Sequence, residues 1–305
     1  MELSMKVSTL ALLSGLVAFG ANAEMVEIQH AQGTTKLEAN PERVVVIGVG
    51  ALDAVVTMGV EPVALSTVSM FPDYLAKYRS GDFISAGSLS EPNFETIFTQ
   101  KPDLIIVGSR GASQYEELSK IAPTVVFAPN DEQGYWVSTQ QQWRNLGTIF
   151  GKQEFVEKKI AQVDSQFKAI RDYNQTNSVD ALTVMSAGGN ITAFGADSRF
   201  SAIYRDFGFN ESVKGIKASR HGDLVSYEFI RDANPSTLLI VDKDMLINKG
   251  TSTTKRDFEN ELVKATDAYQ NKHMAYLDIN AWYLAASGIQ ATERMIKDVQ
   301  SSIDL

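Results

Sequence analysis

Three basic residues lie where the chain leaves a predicted strand or enters a predicted helix. Arg110 follows the hydrophobic run PDLIIVG, Arg199 stands at the start of the helical segment SRFSAIYRDFGF, and Lys243 follows PSTLLIVD. Parallel α/β sheets bind ligands at the carboxyl ends of their strands, and a cation at a helix start is unfavourable for the helix dipole. The three positions therefore indicate an anionic ligand, although each residue alone also fits a solvated surface charge.

A histidine and a tyrosine in loops suggest metal chemistry. His221 precedes a helix predicted over residues 223–230, and Tyr283 follows the last predicted strand, beside Trp282. One imidazole nitrogen and one phenolate oxygen suit a hard cation such as Fe³⁺, but two protein ligands cannot hold iron alone, so the ligand itself would supply the rest. By spacing alone, a helix-capping His221 and an interfacial Tyr283 explain the same residues. Trp282 fits either a wall for a ligand ring or a core aromatic residue.

The rest of the sequence gives little support for catalysis or for nucleic-acid binding. The chain has no cysteine, which excludes disulfides and thiolate sites, and only three histidines. His30 and His273 are predicted at the surface, so a complete zinc site is not expected. GVGALDAV lacks the third glycine of a dinucleotide fingerprint, and no phosphate loop, nucleophile elbow or zinc-protease motif occurs. The net charge of −9 argues against nucleic acid. A periplasmic α/β enzyme stays the alternative from another class.

Alternating strand and helix patterns predict the elements that position these residues. NPERVVVIG reads as a strand buried on both faces, and helices and strands then alternate as far as TVVFAP. Residues 152–174 carry apolar side chains at three- and four-residue steps without Gly or Pro, which predicts one long amphipathic helix. The alternation then resumes. We predict an α/β fold of two Rossmann-like lobes (24–151 and 175–305) with mainly parallel sheets, joined by that single helix, with a ligand cleft between them.

The first 23 residues are typical of a cleavable signal peptide. They contain Lys6, an apolar run from Leu10 to Phe19, and the small-residue pattern that ends at Ala23. The apolar run is shorter than the roughly 20 residues needed to span a bilayer. No cysteine is present to carry a lipid anchor. We therefore expect export, cleavage after Ala23, and a soluble monomer in the periplasm of a Gram-negative cell.

Each predicted lobe contains a glutamate near the start of a short helix that leads into a buried strand. Glu95 stands seven residues before Pro102, and Glu228 stands seven residues before Pro235. A glutamate in the first turn favours the helix dipole, which explains either residue alone. The matched pair instead favours a function shared by the two lobes.

Taken in order, these segments resemble the periplasmic iron–siderophore binding proteins of ABC importers, specifically those for catecholate siderophores. The resemblance covers essentially the whole mature chain and runs through PERVVV, EPNFETIFTQKPDLIIVGSR, GTIFGK, SRF, RHGDLVSYEFI, PSTLLIVDKD and WYLAASG. It implies capture of a ferric catecholate siderophore between two lobes, little hinge motion, and delivery to an inner-membrane ABC permease without chemical conversion. Iron would arrive as Fe³⁺ inside its chelate, so the resemblance implies no cofactor of the protein's own.

The resemblance also implies which side chains contact the siderophore. Arg110, Arg199 and Lys243 match three basic residues that contact catecholate oxygens in similar proteins. The third is an arginine in those proteins, and a lysine lacks the guanidinium fork, so this contact differs in geometry. Trp282 is the candidate wall for the aromatic rings. The alternative ligands are a hydroxamate siderophore, haem or cobalamin, and the basic residues favour the catecholate.

Two further pairs of residues receive roles from the resemblance. His221 and Tyr283 match a histidine and a tyrosine that complete the iron coordination of a tetradentate siderophore. Glu95 and Glu228 match one glutamate on each lobe that docks onto basic residues of the permease.

Overall fold

The computed structural model of the protein describes residues 24–130, 133–217, 219 and 221–305. The predicted signal peptide, residues 1–23, lies outside these residues. The described chain forms two α/β units with one long helix between them in the sequence, in agreement with the predicted fold class.

The strands are β1 (Met25–His30), β2 (Gly33–Glu38), β3 (Val44–Ile47), β4 (Ala64–Leu65), β5 (Leu104–Gly108), β6 (Thr124–Phe127), β7 (Asp180–Ala187), β8 (Asn190–Phe194), β9 (Asn210–Glu211), β10 (Asp223–Val225), β11 (Thr237–Asp242) and β12 (Met274–Leu277). The α-helices are α1 (Val49–Thr57), α2 (Phe94–Thr99), α3 (Tyr115–Leu118), α4 (Tyr135–Ile149), α5 (Gln153–Thr176), α6 (Ser201–Arg205), α7 (Tyr227–Ala233), α8 (Asp244–Ile247), α9 (Thr254–Asp257), α10 (Glu261–Lys264), α11 (Asp267–Gln270) and α12 (Ile289–Gln300).

The N-terminal lobe is built on a parallel sheet with the strand order β4-β3-β5-β6. All four residues of β3 are buried, as are Leu104–Val107 of β5. Such continuous β-branched runs are expected for strands covered on both faces. The chain before β3 forms an antiparallel hairpin, β1–β2. It is fixed to the lobe by Thr35, whose hydroxyl donates to the Thr124 carbonyl of β6 at 2.6 Å.

The C-terminal lobe has a mixed sheet with the order β10-β8-β7-β11-β12, and β9 pairs with β7. The pairs β7–β11, β11–β12 and β7–β9 are parallel, whereas β8 is antiparallel to both of its neighbours. The helix predicted over residues 223–230 is wrong in its first half, because Asp223–Val225 form β10. The Ser226 side chain accepts from the backbone N–H of Phe229, so the helix starts only at Tyr227. This cap leaves the preceding three residues to pair with the edge of β8.

The long helix α5 has 24 residues and extends over about 36 Å at 1.5 Å per residue. Its buried positions recur at helical spacing, as the sequence predicts, and are Val156, Ile160, Val163, Phe167, Ile170 and Asn174. Its bounds differ by one or two residues from the expected 152–174. In the described part of the chain, no helix is both long and apolar enough to cross a membrane.

The last helix, α12, connects the two lobes a second time. Asp53 on α1 is fully buried and accepts from the backbone N–H groups of Gln290 (3.1 Å) and Ala291 (2.9 Å) in the first turn of α12. The indole Nε1 of Trp143 on α4 donates to the Ser287 carbonyl at 2.7 Å. The C-terminal end of the chain is therefore held by helices of the N-terminal half.

Two glycines allow this close contact between the lobes. A Cβ on Gly50 would lie 2.4 Å from the Ala286 carbonyl oxygen, and a Cβ on Gly288 would lie 2.2 Å from the Asp53 carboxylate. Neither position has room for a side chain. Buried residues from both lobes accordingly form one continuous hydrophobic cluster that includes Leu52 of α1, Phe167 of α5 and Ile289 of α12.

Candidate functional site

A cleft of about 510 Å³ lies between the two lobes. The N-terminal lobe contributes the loops after β3 and β5, including Arg110. The C-terminal lobe contributes residues 197–202, which lead into α6, and the turn that follows β12, including Tyr283. The cleft is therefore formed where strands end in both lobes, as expected for ligand sites of α/β folds.

Three cations surround the Tyr283 ring, and two of them, Arg110 and Arg199, line the cleft. The guanidinium carbon of Arg199 lies 4.0 Å from the ring centre, and that of Arg110 lies 5.4 Å away. The Lys243 ammonium lies 5.5 Å from the same ring. The structure thus brings together four of the predicted site residues, from both lobes. At these distances each cation is attracted by the ring's negative face.

The electrostatic environment of Tyr283 lowers the pKa of its phenol. Burial alone raises the pKa of the phenol, but the positive charges of Arg199 and Lys243, together with hydrogen bonds from both side chains, outweigh burial. The net pKa of Tyr283 is lowered from its ordinary value of 10. A phenol with a lowered pKa is a better ligand for a hard cation, because the metal binds the deprotonated oxygen.

A single π-helical turn, Asn280–Leu284, presents Tyr283 to the cleft. The turn is anchored by Trp282, whose indole Nε1 donates to Asp298 on α12 at 2.8 Å. Burial raises the pKa of Asp298 to about 6, against the lowering effect of its hydrogen bonds from Asp278 and Trp282. Trp282 borders the cleft, but only 5% of it is exposed, and it packs on Phe200 and Phe207. Its main contacts are those of a core residue that supports Tyr283.

His221 lies at the surface, outside the group formed by Tyr283 and its three cations. It is exposed, and its backbone N–H donates to the Ser219 hydroxyl at 3.1 Å. Ser219 lines the cleft, whereas His221 is not among the described lining residues. The loop that carries His221 therefore reaches the cleft. Among the described residues, no three His, Asp or Glu side chains are grouped so as to hold a metal ion.

Two charged residues of the cleft were not singled out from the sequence. Asp197 and Arg205 both line it and form an ion pair with each other. They flank Arg199 within the segment GADSRFSAIYRD. Their position around the start of α6 is the only sequence signal that could have identified them. Among the described residues that line the cleft, Asp197 is therefore the one carboxylate beside the cations.

The two glutamates occupy identical positions in their helices. Glu95 is the second residue of α2 and Glu228 is the second residue of α7, and both are exposed. Asn93 caps α2 and Ser226 caps α7, each through a side-chain acceptor. A hydrogen bond from Ser226 is the main cause that lowers the pKa of Glu228 below its ordinary value of 4.5.

The matched glutamates belong to a longer repeated unit. In both lobes the glutamate stands 15 positions before a cation that lies beside Tyr283, which is Arg110 in one lobe and Lys243 in the other. In both lobes a residue with positive φ also follows the helix and directly precedes the proline, namely Lys101 (48°) and Asn234 (39°). Helix, turn, buried strand and cation therefore occur once in each lobe with the same spacing.

The strand directions place each glutamate at the same sheet edge as its cation. β10 and β7 both pair antiparallel with β8, so β10 runs parallel to β11. α7 hence begins at the carboxyl-end edge, where Lys243 follows β11. In the N-terminal lobe, Ser85 pairs in parallel with Leu65 at the end of β4, and the antiparallel bridge between Gly87 and Pro92 then turns the chain back, so α2 begins beside the carboxyl end of β4. Glu95 therefore lies at the edge where Arg110 follows β5.

Comparison with known proteins gives consistent results over most of the chain. A family model described as periplasmic binding protein matches residues 44–281. The petrobactin-binding protein YclQ of Bacillus subtilis is 34% identical over 284 residues, which cover 92% of this chain and 89% of YclQ. The ferric-anguibactin-binding protein FatB of Vibrio anguillarum is 31% identical over 303 residues, which cover 96% of this chain and 94% of FatB.

A solved structure is similar at the level of both fold and sequence. The crystal structure of the periplasmic catecholate-siderophore binding protein VctP from Vibrio cholerae aligns with this chain at a TM-score of 0.89 and 60% identity. The alignment covers 92% of this chain and 100% of VctP.

Proposed function

We propose that this chain, which belongs to the periplasmic binding protein family, captures ferric catecholate siderophores in the inter-lobe cleft and delivers them to an inner-membrane ABC transporter. The relatives described above are named as binding proteins for petrobactin, ferric anguibactin and a catecholate siderophore. The observation in this chain that supports the ligand class is the convergence of Arg110, Arg199 and Lys243 on Tyr283.

The chemistry of the cleft fits a ferric catecholate. Such a complex is anionic, bulky and aromatic, so it requires cations for its oxygens and flat surfaces for its rings. Exposed ion pairs taken one at a time contribute only about 0–1 kcal/mol. Cations that converge on a partly desolvated anion form charge-assisted hydrogen bonds, which are roughly twice as strong as neutral ones. Arg110 and Arg199 provide planar groups that can also stack on catechol rings.

The ligand class can be tested by fluorescence quenching. The chain has three tryptophans, and Trp282 borders the cleft, so an absorbing ferric complex bound there should quench its emission. We expect tight binding of a ferric catecholate and weak binding of a ferric hydroxamate, haem and cobalamin. Tight binding of one of the latter without catecholate binding would exclude the proposed ligand class. Recovery of an unchanged ferric chelate after incubation checks that no conversion takes place.

His221 and Tyr283 are proposed to complete the iron coordination of a tetradentate siderophore. The lowered pKa of Tyr283 supports its part, because iron binds the phenolate. For His221 the support is its loop, which reaches the cleft at Ser219. Iron is the cargo in this scheme, and it enters and leaves inside the chelate.

The iron ligation can be tested by visible absorption of a bound tetradentate ferric complex. Tyr283→Phe should remove the phenolate-to-iron charge-transfer band, and His221→Ala should shift it. Matched controls are Tyr269→Phe and His273→Ala, at positions outside the residues that line the cleft. If both site variants keep the wild-type spectrum, neither residue ligates iron.

Glu95 and Glu228 are proposed to dock the loaded protein onto basic residues of the permease. Their support is the repeated unit, which places both at the sheet edge that carries the cleft cations. The double variant Glu95→Arg/Glu228→Arg should keep its siderophore affinity and lose iron uptake. Glu154→Arg is a matched control, because Glu154 is also an exposed glutamate in a first helical turn. Normal uptake by the double variant would contradict the docking role.

The proposed location is the periplasm of a Gram-negative cell. Residues 1–23 are proposed as the signal peptide that directs export. Mass spectrometry of the protein purified from an osmotic-shock fraction checks this proposal, with an expected N-terminus at Glu24. For the mature chain, we propose an N-terminal lobe over residues 24–151, a linking helix over 152–174 and a C-terminal lobe over 175–305.

A further inference from the structure

An exposed aromatic pair lies beside Glu95 on α2. Phe94 is 36% exposed and Phe98 is 67% exposed. They stand four residues apart, so their side chains are neighbours on the helix surface. Ile97, between them, is fully buried, so α2 cannot rotate to hide the two rings without exposing its core contact. The pair and Glu95 together form an amphipathic patch, which we call the α2 patch.

The corresponding helix of the C-terminal lobe has a different surface. Tyr227 and Arg231 occupy the positions on α7 that Phe94 and Phe98 occupy on α2. The Tyr227 ring packs edge-on against Phe258 at 5.3 Å, and Arg231 pairs with Asp232 at 2.6 Å. The two helices therefore share the glutamate and differ in what flanks it. On the helices themselves the flank is a pair of phenylalanines in the N-terminal lobe and a tyrosine with an arginine in the C-terminal lobe, where the exposed Leu224 (72%) precedes α7 on β10.

We propose that Phe98, supported by Phe94, forms an apolar contact with the inner-membrane permease and makes the N-terminal lobe the stronger docking half. The inference rests on the docking role proposed for Glu95 and Glu228. The surface of the permease that contacts the α2 patch would carry a basic side chain beside an apolar recess. An apolar ring that covers an ion pair removes water from it, and a charge pair is stronger where water is excluded.

Charge favours the permease over a second copy of this chain as the partner. A symmetric dimer formed through the α2 patch brings the same surface of both copies together, so Glu95 of one copy would lie near Glu95 of the other. Like charges placed together weaken such a contact. The chain also carries a net charge of −9, which adds long-range repulsion between copies. A basic partner removes both penalties.

The test uses the siderophore-loaded protein and the host's permease–ATPase complex in nanodiscs. The concentration of loaded protein that gives half-maximal stimulation of ATP hydrolysis measures docking. We expect Phe98→Ser to raise this concentration about tenfold, which corresponds to about 1.4 kcal/mol. Phe98→Leu should stay near the wild type, since it keeps an apolar side chain. Arg231→Ser, the equivalent change in the other lobe, should have a smaller effect than Phe98→Ser.

Val137→Ser is the matched control, because Val137 is 58% exposed on α4, outside the α2 patch. Fluorescence titration with the ferric siderophore should give the wild-type affinity for every variant. If Phe98→Ser behaves like Val137→Ser while Glu95→Ala weakens docking, the apolar contact is refuted and the proposed function stands. If Glu95→Ala also has no effect, the docking role and this inference fall together. Failure of the wild-type protein to bind any ferric siderophore would refute the proposed function itself.

Self-association gives a separate outcome. Sedimentation of the wild-type protein should show a monomer over the concentrations used for docking. A dimer that Phe98→Ser dissociates would overturn the inference, because the α2 patch would then be an interface between copies of the chain.

Discussion

Replacing Asp53 with asparagine should remove the pH dependence that this buried carboxyl gives to the free energy of unfolding. Burial raises the pKa of the Asp53 carboxyl from 3.8 to about 7, although its hydrogen bonds from Ala291, Gln290 and Thr57 lower it. The folded state therefore binds the proton more tightly than the unfolded state, so the contribution of Asp53 to stability is fully present at low pH. It falls as the pH rises through the window between about 4 and 7. Since one pKa unit corresponds to about 1.36 kcal/mol, the loss is on the order of 4 kcal/mol.

Urea denaturation followed by tryptophan fluorescence at pH 4.5, 6 and 8 measures this effect. Asp53→Asn cannot ionise, so its free energy of unfolding should increase relative to that of the wild type as the pH rises. Asp82→Asn, at an exposed position, should follow the wild type at each pH. A difference between Asp53→Asn and the wild type that stays constant, or that changes in the opposite direction, would refute the reasoning. It would mean that the hydrogen bonds from the first turn of α12, and not burial, determine the pKa of the Asp53 carboxyl.

Three further predictions concern the cleft and the contact between the lobes. Arg199→Gln should raise the pKa of Tyr283, because the Arg199 charge lowers it, and phenolate absorbance against a Tyr283→Phe reference measures the shift; an unchanged titration would exclude the coupling. Asp197→Asn should tighten ferric catecholate binding by up to about fivefold, because it removes a negative charge from the cleft and releases Arg205 from its ion pair. Isothermal titration calorimetry measures this affinity. Weaker binding would show that the Asp197–Arg205 ion pair holds the binding residues in place. Gly50→Ala should cost about 1–3 kcal/mol of stability, because its Cβ would meet a backbone carbonyl of the other lobe at 2.4 Å; a wild-type melting temperature would contradict that close contact.

Features encoded by local spacing could be predicted from the sequence. The α/β alternation and the amphipathic helix depend on periods of two and 3.6 residues, which are properties of neighbouring positions. The pairing of Glu95 with Glu228 followed from one short pattern that occurs twice. Arg110 and Lys243 were identified for the same reason, because a residue just after a buried strand lies at the carboxyl end of a sheet.

Features that depend on distant parts of the chain could not be predicted. In the sequence, Asp53 only interrupts a glycine pattern, whereas in the structure it caps a helix that starts more than two hundred positions later. The sequence predicts a helix where β10 lies, because three residues are too few to show a strand period and the partner strand β8 is identified only by the folded sheet. Trp282 allowed two interpretations, since burial is decided by the packing of Phe200 and Phe207 around it.

The position of α12 has a consequence for the order of folding. Domains generally fold as units, with the N-terminal one first during synthesis. In this chain Asp53 and Trp143, both in the first half, find their buried hydrogen-bond partners at residues 287–291. The N-terminal lobe therefore cannot reach its final packing until the last residues are available. A chain with this topology stays incompletely folded until its synthesis is almost finished. An incompletely folded polypeptide can still be translocated across a membrane.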